Sequence, residues 1–217
     1  QVLFKSTDAG ASFSIALDNG TSALYSLDFA DSLRGMVIGS NGINYRTTNG
    51  GVSFDSVGVN LFTAQVCRAV YMKSPTEVFV GADMGNILRS TNGGAAWNLI
   101  TTASYLYGMN FLNISTGMCV GYRGIALKTT NSAVTWTDIK SIQGFEAYDV
   151  KMVNANNVFA CAASGRFYAS TDGGMIFVER NLPALTSNNK TICFLNSNEG
   201  FAGNEAGGLY KTTDAGL

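Results

Sequence analysis

The chain of 217 residues contains no histidine. That absence removes the commonest general base and the usual nucleophilic triads, and it takes away the side chain most often used to hold zinc. Only 13% of the residues are charged, about half the usual share. The surface must therefore be made of Asn, Ser, Thr and Gly, a composition common among extracytoplasmic β proteins. The formal net charge of −1 gives no global pull on nucleic acid or an anionic membrane. No apolar run reaches the roughly 20 residues of a membrane helix, so no insertion is expected. No basic, apolar, small-residue leader opens the chain, whose first residues already read as mid-repeat. The four cysteines, Cys67, Cys119, Cys161 and Cys193, form no CxxC pair. All lie in apolar runs and read as buried small hydrophobes, with one disulfide as the alternative.

What is present is a repeat. Six segments align: VLFKSTDAG from Val2, INYRTTNGG from Ile43, NILRSTNGG from Asn86, IALKTTNSA from Ile125, RFYASTDGG from Arg166 and GLYKTTDAG from Gly208. Their acid or amide positions are Asp8, Asn49, Asn92, Asn131, Asp172 and Asp214, spaced by 41, 43, 39, 41 and 42 residues. Five are followed by an aromatic five residues on: Phe13, Phe54, Trp97, Trp136 and Phe177. The pattern Ser/Thr-x-Asp/Asn-x-Gly is turn chemistry. The short polar side chain accepts backbone N–H groups just ahead of it, and glycine supplies a positive φ. Each box thus reads as a self-capping hairpin whose aromatic covers the turn.

The text between boxes also repeats. Strands at Tyr25–Ala30 and Met36–Gly39 recur as Ala69–Met72 with Val78–Gly81, and Met109–Leu112 with Met118–Gly121. They recur again as Val150–Val153 with Val158–Ala162, and Ile192–Leu195 with Phe201–Gly203. Four short strands per repeat with no helical periodicity describe an all-β protein, a β-propeller of four-stranded antiparallel blades. A solenoid β-helix is the alternative, though its coils are usually shorter. About five blades are present. The residues 1–217 read as one propeller domain and as a fragment of a longer chain, with a six- or seven-bladed ring as the alternative.

The boxes resemble the Asp-box, or bacterial neuraminidase repeat. Segments such as GMVIGSNGINYRTTNGGVSF and GMCVGYRGIALKTTN are similar to the propellers of the photosystem II stability and assembly factor family, and to many secreted bacterial repeat proteins. The resemblance covers essentially the whole chain. It implies that the box joins strands three and four of a blade, on the face opposite the one used for ligands, so the box is read as a stability motif. Three boxes depart from the pattern by carrying Asn. In the fourth, Ser132 and Ala133 replace glycines, so that turn should be the least ideal. Sialidases share the Asp box but need an arginine cluster and an early Arg-Ile-Pro. The two prolines, Pro75 and Pro183, sit in SPT and LPA, so that motif is absent.

No catalytic residue is assigned. Glycoside hydrolysis needs two facing carboxylates, and spacing singles out only Asp83 and Glu205, which fall in corresponding turns. No phosphate loop, dinucleotide fingerprint or calcium loop appears, so no cofactor and no metal are expected. In a propeller the loops joining blades and the turns between strands two and three share one face, where partners bind. The joining loops read as Leu17–Ser22, Val57–Gln65, Thr101–Tyr107, Ile139–Glu146 and Arg180–Asn189, carrying Phe62, Tyr105, Tyr107 and Phe145. The two-to-three turns carry Asn41, Asp83, Tyr122, Arg123, Arg166, Asn204 and Glu205. From these, Phe62, Asp83, Tyr105, Tyr122, Arg123, Phe145, Arg166 and Glu205 form the candidate partner-binding set. Aromatics with arginine favour protein or carbohydrate contacts, though the same aromatics could pack between blades.

A basic register accompanies the boxes. Lys5, Arg46, Arg89, Lys128, Ala169 and Lys211 stand three residues before each acid or amide. Repetition in every blade favours a structural role beside the box. Partner binding, as the resemblance implies for arginines there, is the alternative. Three glycosylation sequons begin at Asn19, Asn113 and Asn189. Taken together, the expected function is a non-enzymatic binding or scaffold propeller, extracytoplasmic, engaging a protein or glycan. A glycoside hydrolase and a structural unit of a larger, self-associating surface protein are the alternatives.

Overall fold

A computed structural model describes the chain apart from positions 21, 58–64, 102, 103, 140, 141, 143, 181–186 and 217. The described residues are β-strands joined by tight turns and single turns of 3₁₀ helix. The fold is an all-β propeller of antiparallel, sequentially ordered blades. A hairpin, β1 (Val2–Lys5) and β2 (Ser14–Asp18), precedes blade one, β3 (Leu24–Phe29), β4 (Gly35–Gly39), β5 (Asn44–Thr47) and β6 (Asp55–Ser56). Blade two is β7 (Cys67–Met72), β8 (Val78–Ala82), β9 (Asn86–Ser90) and β10 (Asn98–Thr101). Blade three is β11 (Leu106–Phe111), β12 (Gly117–Gly121), β13 (Ala126–Thr129) and β14 (Thr137–Asp138). Blade four is β15 (Ala147–Met152), β16 (Val158–Ala162), β17 (Phe167–Ser170) and β18 (Val178–Arg180). Blade five is β19 (Asn189–Phe194), β20 (Gly200–Asn204) and β21 (Leu209–Thr212).

The sequence expectations of strand pairs hold to within three residues. Tyr107 is a correction: it lies in β11, not in a loop. The chain divides into two compact units, residues 1–103 and 104–217. In the first unit the core lies between blades one and two, where Met36 and Ile38 meet Val70, Met72, Val80 and Trp97. In the second, Met118 and Val120 of blade three pack on Val150, Ala160 and Phe177 of blade four. Phe159 and Phe167 of blade four pack on Phe194 of blade five, with the Phe159 and Phe194 rings stacked at 3.9 Å. This explains why β4, β8, β12 and β16 are buried at every position. Both faces of a blade's second strand are covered, so it reads as a continuous apolar run and not as an alternating one.

Three cysteines fulfil the buried reading, and Cys193 is exposed; all four are free thiols. Burial pushes the Cys67 thiol up to about 12.

The box turns follow one hydrogen-bond plan. In the fifth box the Ser170 hydroxyl donates to Asp172 Oδ1 at 2.7 Å and accepts the N–H groups of Asp172 and Gly174. Asp172 Oδ1 accepts from Met175 and Ile176. Asparagine fits because one oxygen performs the accepting role. Asn49 Oδ1 accepts from Val52 and Ser53, while its amide donates to Ser53 Oγ at 2.8 Å. A Cβ at Gly94 (φ +89) would come within 2.6 Å of Met36 of the preceding blade. The positive φ, more than the movable Met36 methyl, favours glycine there. In the fourth box, Ser132 and Ala133 both adopt φ +61, so that turn carries backbone strain.

Each box from the second to the sixth is tied within its own blade, and three of them also to the unit before. The N–H of its fourth residue donates to the one-to-two turn of its own blade: Gly50 to Leu33, Gly93 to Thr76, Ser132 to Ser115, Gly173 to Asn156 and Ala215 to Asn198. The carbonyl of the same residue accepts from the basic register of the preceding hairpin or blade: Lys5 to Gly50 at 2.7 Å, Arg46 to Gly93 at 3.4 Å and Lys128 to Gly173 at 2.7 Å. Arg89 and Lys211 instead pair with Glu77 and Glu199 of their own blades, each at 2.7 Å. The basic register is thus structural, and in three of its members it links neighbours where a cap within one blade was expected.

Candidate functional site

The opposite ends of the blades carry the two-to-three turns. Their backbone is also constant. The first turn residue donates its N–H to the lead-in of the same blade: Ser40 to Ala23, Asp83 to Val66, Tyr122 to Tyr105, Ala163 to Glu146 and Glu205 to Asn188. In blades one to four the second turn residue is a non-glycine with positive φ: Asn41 (57°), Met84 (65°), Arg123 (55°) and Ser164 (59°). On this fixed frame the side chains differ from blade to blade.

In the second unit the frame gathers five of the candidate residues into a row. Tyr105, 40% exposed, meets the Tyr122 ring edge-on at 5.8 Å. The Arg123 guanidinium lies 5.3 Å from the Tyr122 ring centroid. Gly124 (φ +75) follows. A Cβ there would lie 1.6 Å from the Ile142 carbonyl oxygen and 3.1 Å from that of Phe145, so only glycine lets the next joining loop lie against this turn. Phe145 then carries the Arg166 guanidinium over its ring at 3.5 Å. Arg166 also lies 3.1 Å from Glu179, without a well-aligned hydrogen bond. An open cleft of about 360 Å³ is lined by Ser104, Tyr122, Arg123, Gly124, Ile125, Asp138, Ile142 and Gly144. Arg123 is exposed and makes no ion pair among the described residues.

The remaining candidates lie elsewhere. Phe62 is outside the described residues. Asp83 is held by Arg68 through two hydrogen bonds of 2.7 and 3.3 Å, with Arg68 laid over Tyr25 at 5.2 Å. Glu205 pairs with Lys190 at 3.3 Å and accepts from Asn188 at 2.8 Å. These bonds, Asn188 first, hold its carboxyl below the usual range. A general acid needs the opposite shift. Both carboxylates serve internal ion pairs. The pairing residues Arg68 and Lys190 were missed from the sequence. Their signal was there: cation and acid stand fifteen residues apart in both blades, joining the second residue of the first strand to the first residue of the two-to-three turn. Lys190 also caps a column of rings, lying 3.4 Å from the Tyr148 centroid while Tyr148 stacks on Tyr107 at 5.7 Å. The Tyr148 hydroxyl donates to Glu146 at 2.7 Å, and burial, followed by this bond, raises its pKa. No group of three or more metal-ligating side chains exists among the described residues.

No protein-family model matches the chain. Over 60 residues it is 37% identical to the photosystem II assembly lipoprotein Ycf48 of Trichormus variabilis, a match covering 26% of this chain and 18% of that protein. The Nostoc sp. Ycf48 matches equally. Among solved structures, YCF48 from Cyanidioschyzon merolae superposes with a TM-score of 0.69 at 18% identity, covering 98% of this chain and 76% of that one. The fold is shared with Ycf48. A YCF48 bound to a D1 peptide aligns over 90% of this chain and 94% of that one, with a TM-score of 0.52 at 14% identity. The GH74 enzyme of Niastella koreensis reaches 0.76 at 14% identity, covering 98% of this chain and 41% of the enzyme. The family resemblance read from the repeat therefore holds for the fold, and for the sequence within one 60-residue stretch. The matched stretch spans less than a fifth of the curated relatives' length.

Proposed function

We propose that the chain is a non-enzymatic binding propeller that engages a protein partner along the row Tyr105, Tyr122, Arg123, Phe145 and Arg166. The observation that carries this reading is the convergence of aromatic and arginine side chains, from two blades and two joining loops, beside an open cleft. Rigid rings and guanidinium groups are the side chains that dominate protein contacts. The peptide-bound YCF48 of the same fold supports a protein partner. The low charge and the likeness to a lipoprotein support an extracytoplasmic location. The test is site-specific photo-crosslinking in an extract of the source cells, with the photoreactive residue at position 105 or at the box position Val52. A discrete adduct from position 105 and none from position 52 is expected. Equal adducts from both would sink the reading.

One observation favours a second reading, glycoside hydrolysis: the superposition on a GH74 enzyme. Against it stand the ion pairs that occupy Asp83 and Glu205. Release of reducing ends from a soluble β-glucan by the purified chain would overturn the binding reading.

A further inference from the structure

The row contains two guanidinium groups in different states. Arg166 lies flat on Phe145 and beside Glu179, so its charge is already answered. Arg123 is not answered. It stands exposed at the tip of its turn, over the Tyr122 ring. Its backbone sits at φ 55, ψ 25, a conformation that Asn41, Met84 and Ser164 share at the same turn position, so the frame fixes the tip and leaves the side chain free to vary. Its guanidinium stands beside an open cleft without an ion-pair partner among the described residues, so a partner for its charge has to come from outside. The cleft walls fit such a partner. Ile125 is apolar and half-buried, and Ser104 adds a hydroxyl.

Resting on the binding reading above, we infer that this cleft is a subsite for a carboxylate carried on a peptide, with Arg123 as its anchor and Ile125 beside a neighbouring apolar residue. Arginine suits this role because its planar fork meets a carboxylate through two parallel hydrogen bonds, and the Tyr122 ring beneath holds it in place.

The test uses the full chain, labelled with ¹⁵N, and three blocked tetrapeptide probes. The first is acetyl-Gly-Glu-Leu-Gly-amide, the second its Gln counterpart, and the third acetyl-Gly-Gln-Leu-Gly with a free C-terminal carboxylate. The expected result is saturable shifts of the Gly124 amide and the Arg123 Nε–H with the first or third probe. The probe that works identifies a side-chain or a terminal carboxylate as the source. The Gln amide probe should bind at least about tenfold more weakly, as should the Glu probe to an Arg123→Gln chain. An Arg34→Gln chain, altered at an exposed arginine on the one-to-two turn of blade one, should bind the probes as the parent does. Equal shifts from all three probes, or unchanged binding by Arg123→Gln, would overturn the inference. That failure is separable from failure of the binding reading. Crosslinking from position 105 tests the row as a partner surface, and it can succeed where the carboxylate probes fail.

Discussion

The two ends of each blade make a controlled comparison. At the box end the backbone is constant and the side chains are constant. Every box uses a hydroxyl and an acid or amide oxygen to collect the same N–H groups. At the other end the backbone is equally constant, held by the same lead-in hydrogen bond in every blade, yet the side chains at its tip are Asn41, Met84, Arg123 and Ser164. Repetition of side chain marks what the fold needs. Variation of side chain on a repeated backbone marks what the fold leaves available for recognition.

The sharpest way to break the box end is to remove its aromatic cover. Trp97 is 8% exposed and packs in the core between blades one and two. Trp97→Ala is expected to cost about 3–5 kcal/mol, read as a loss of denaturant midpoint without a change of slope. Next comes the hydroxyl. Ser170→Ala leaves the N–H groups of Asp172 and Gly174 without an acceptor, one of them buried, and should cost about 1–3 kcal/mol in the same measurement.

A smaller change has the opposite sign. Ala133 sits at φ +61, so Ala133→Gly should raise stability by up to about 1 kcal/mol. The matching change at the other end, Arg123→Gly, relieves the same kind of strain. It should leave the melting temperature unchanged or slightly higher while weakening partner capture. A large loss of stability from Arg123→Gly would remove the contrast between the two ends.

The smallest effect separates Asp boxes from Asn boxes. Hydrogen bonds from Ser12, then Ser6, push the Asp8 carboxyl down to about 2. The Ile176 N–H, followed by the Ser170 hydroxyl, lowers Asp172. A carboxyl depressed in the folded state contributes stability that is complete above its ordinary value of 3.8 and is lost as pH falls through its folded value. The decline between pH 4 and 2 should therefore be shallower in an Asp8→Asn, Asp172→Asn double variant. An identical pH profile would show that these bonds form equally in the unfolded chain.

Most of the fold was legible because its signals are local. The box spacing counted the blades, and the turn chemistry located the hairpins. What was not legible depends on neighbours. Nothing in the Lys5 or Lys128 segment says that its cation crosses to the next box, because the acceptor is a backbone carbonyl 45 residues on and carbonyls have no sequence. Tyr107 read as a loop aromatic because stacking on Tyr148 requires the adjacent blade to be in place. The candidate set divided along the same line. Tyr105, Tyr122, Arg123, Phe145 and Arg166 came together because they share one corner of the repeat frame. Asp83 and Glu205 looked available only because their partners Arg68 and Lys190 lie in a different strand.

The two-way tie at the second, third and fifth boxes has a consequence for how such a chain changes length. The glycine N–H is answered within its own unit and the carbonyl by the unit before it, so donor and acceptor run head to tail along the chain. A tandem duplication or deletion made in whole periods that brings two such boxes together hands the cation of one to the carbonyl of the next. One made out of phase strands a lysine on one side and a carbonyl on the other. The joint therefore acts as a reading frame written in hydrogen bonds, one that tolerates the gain and loss of modules and penalises fractions of them.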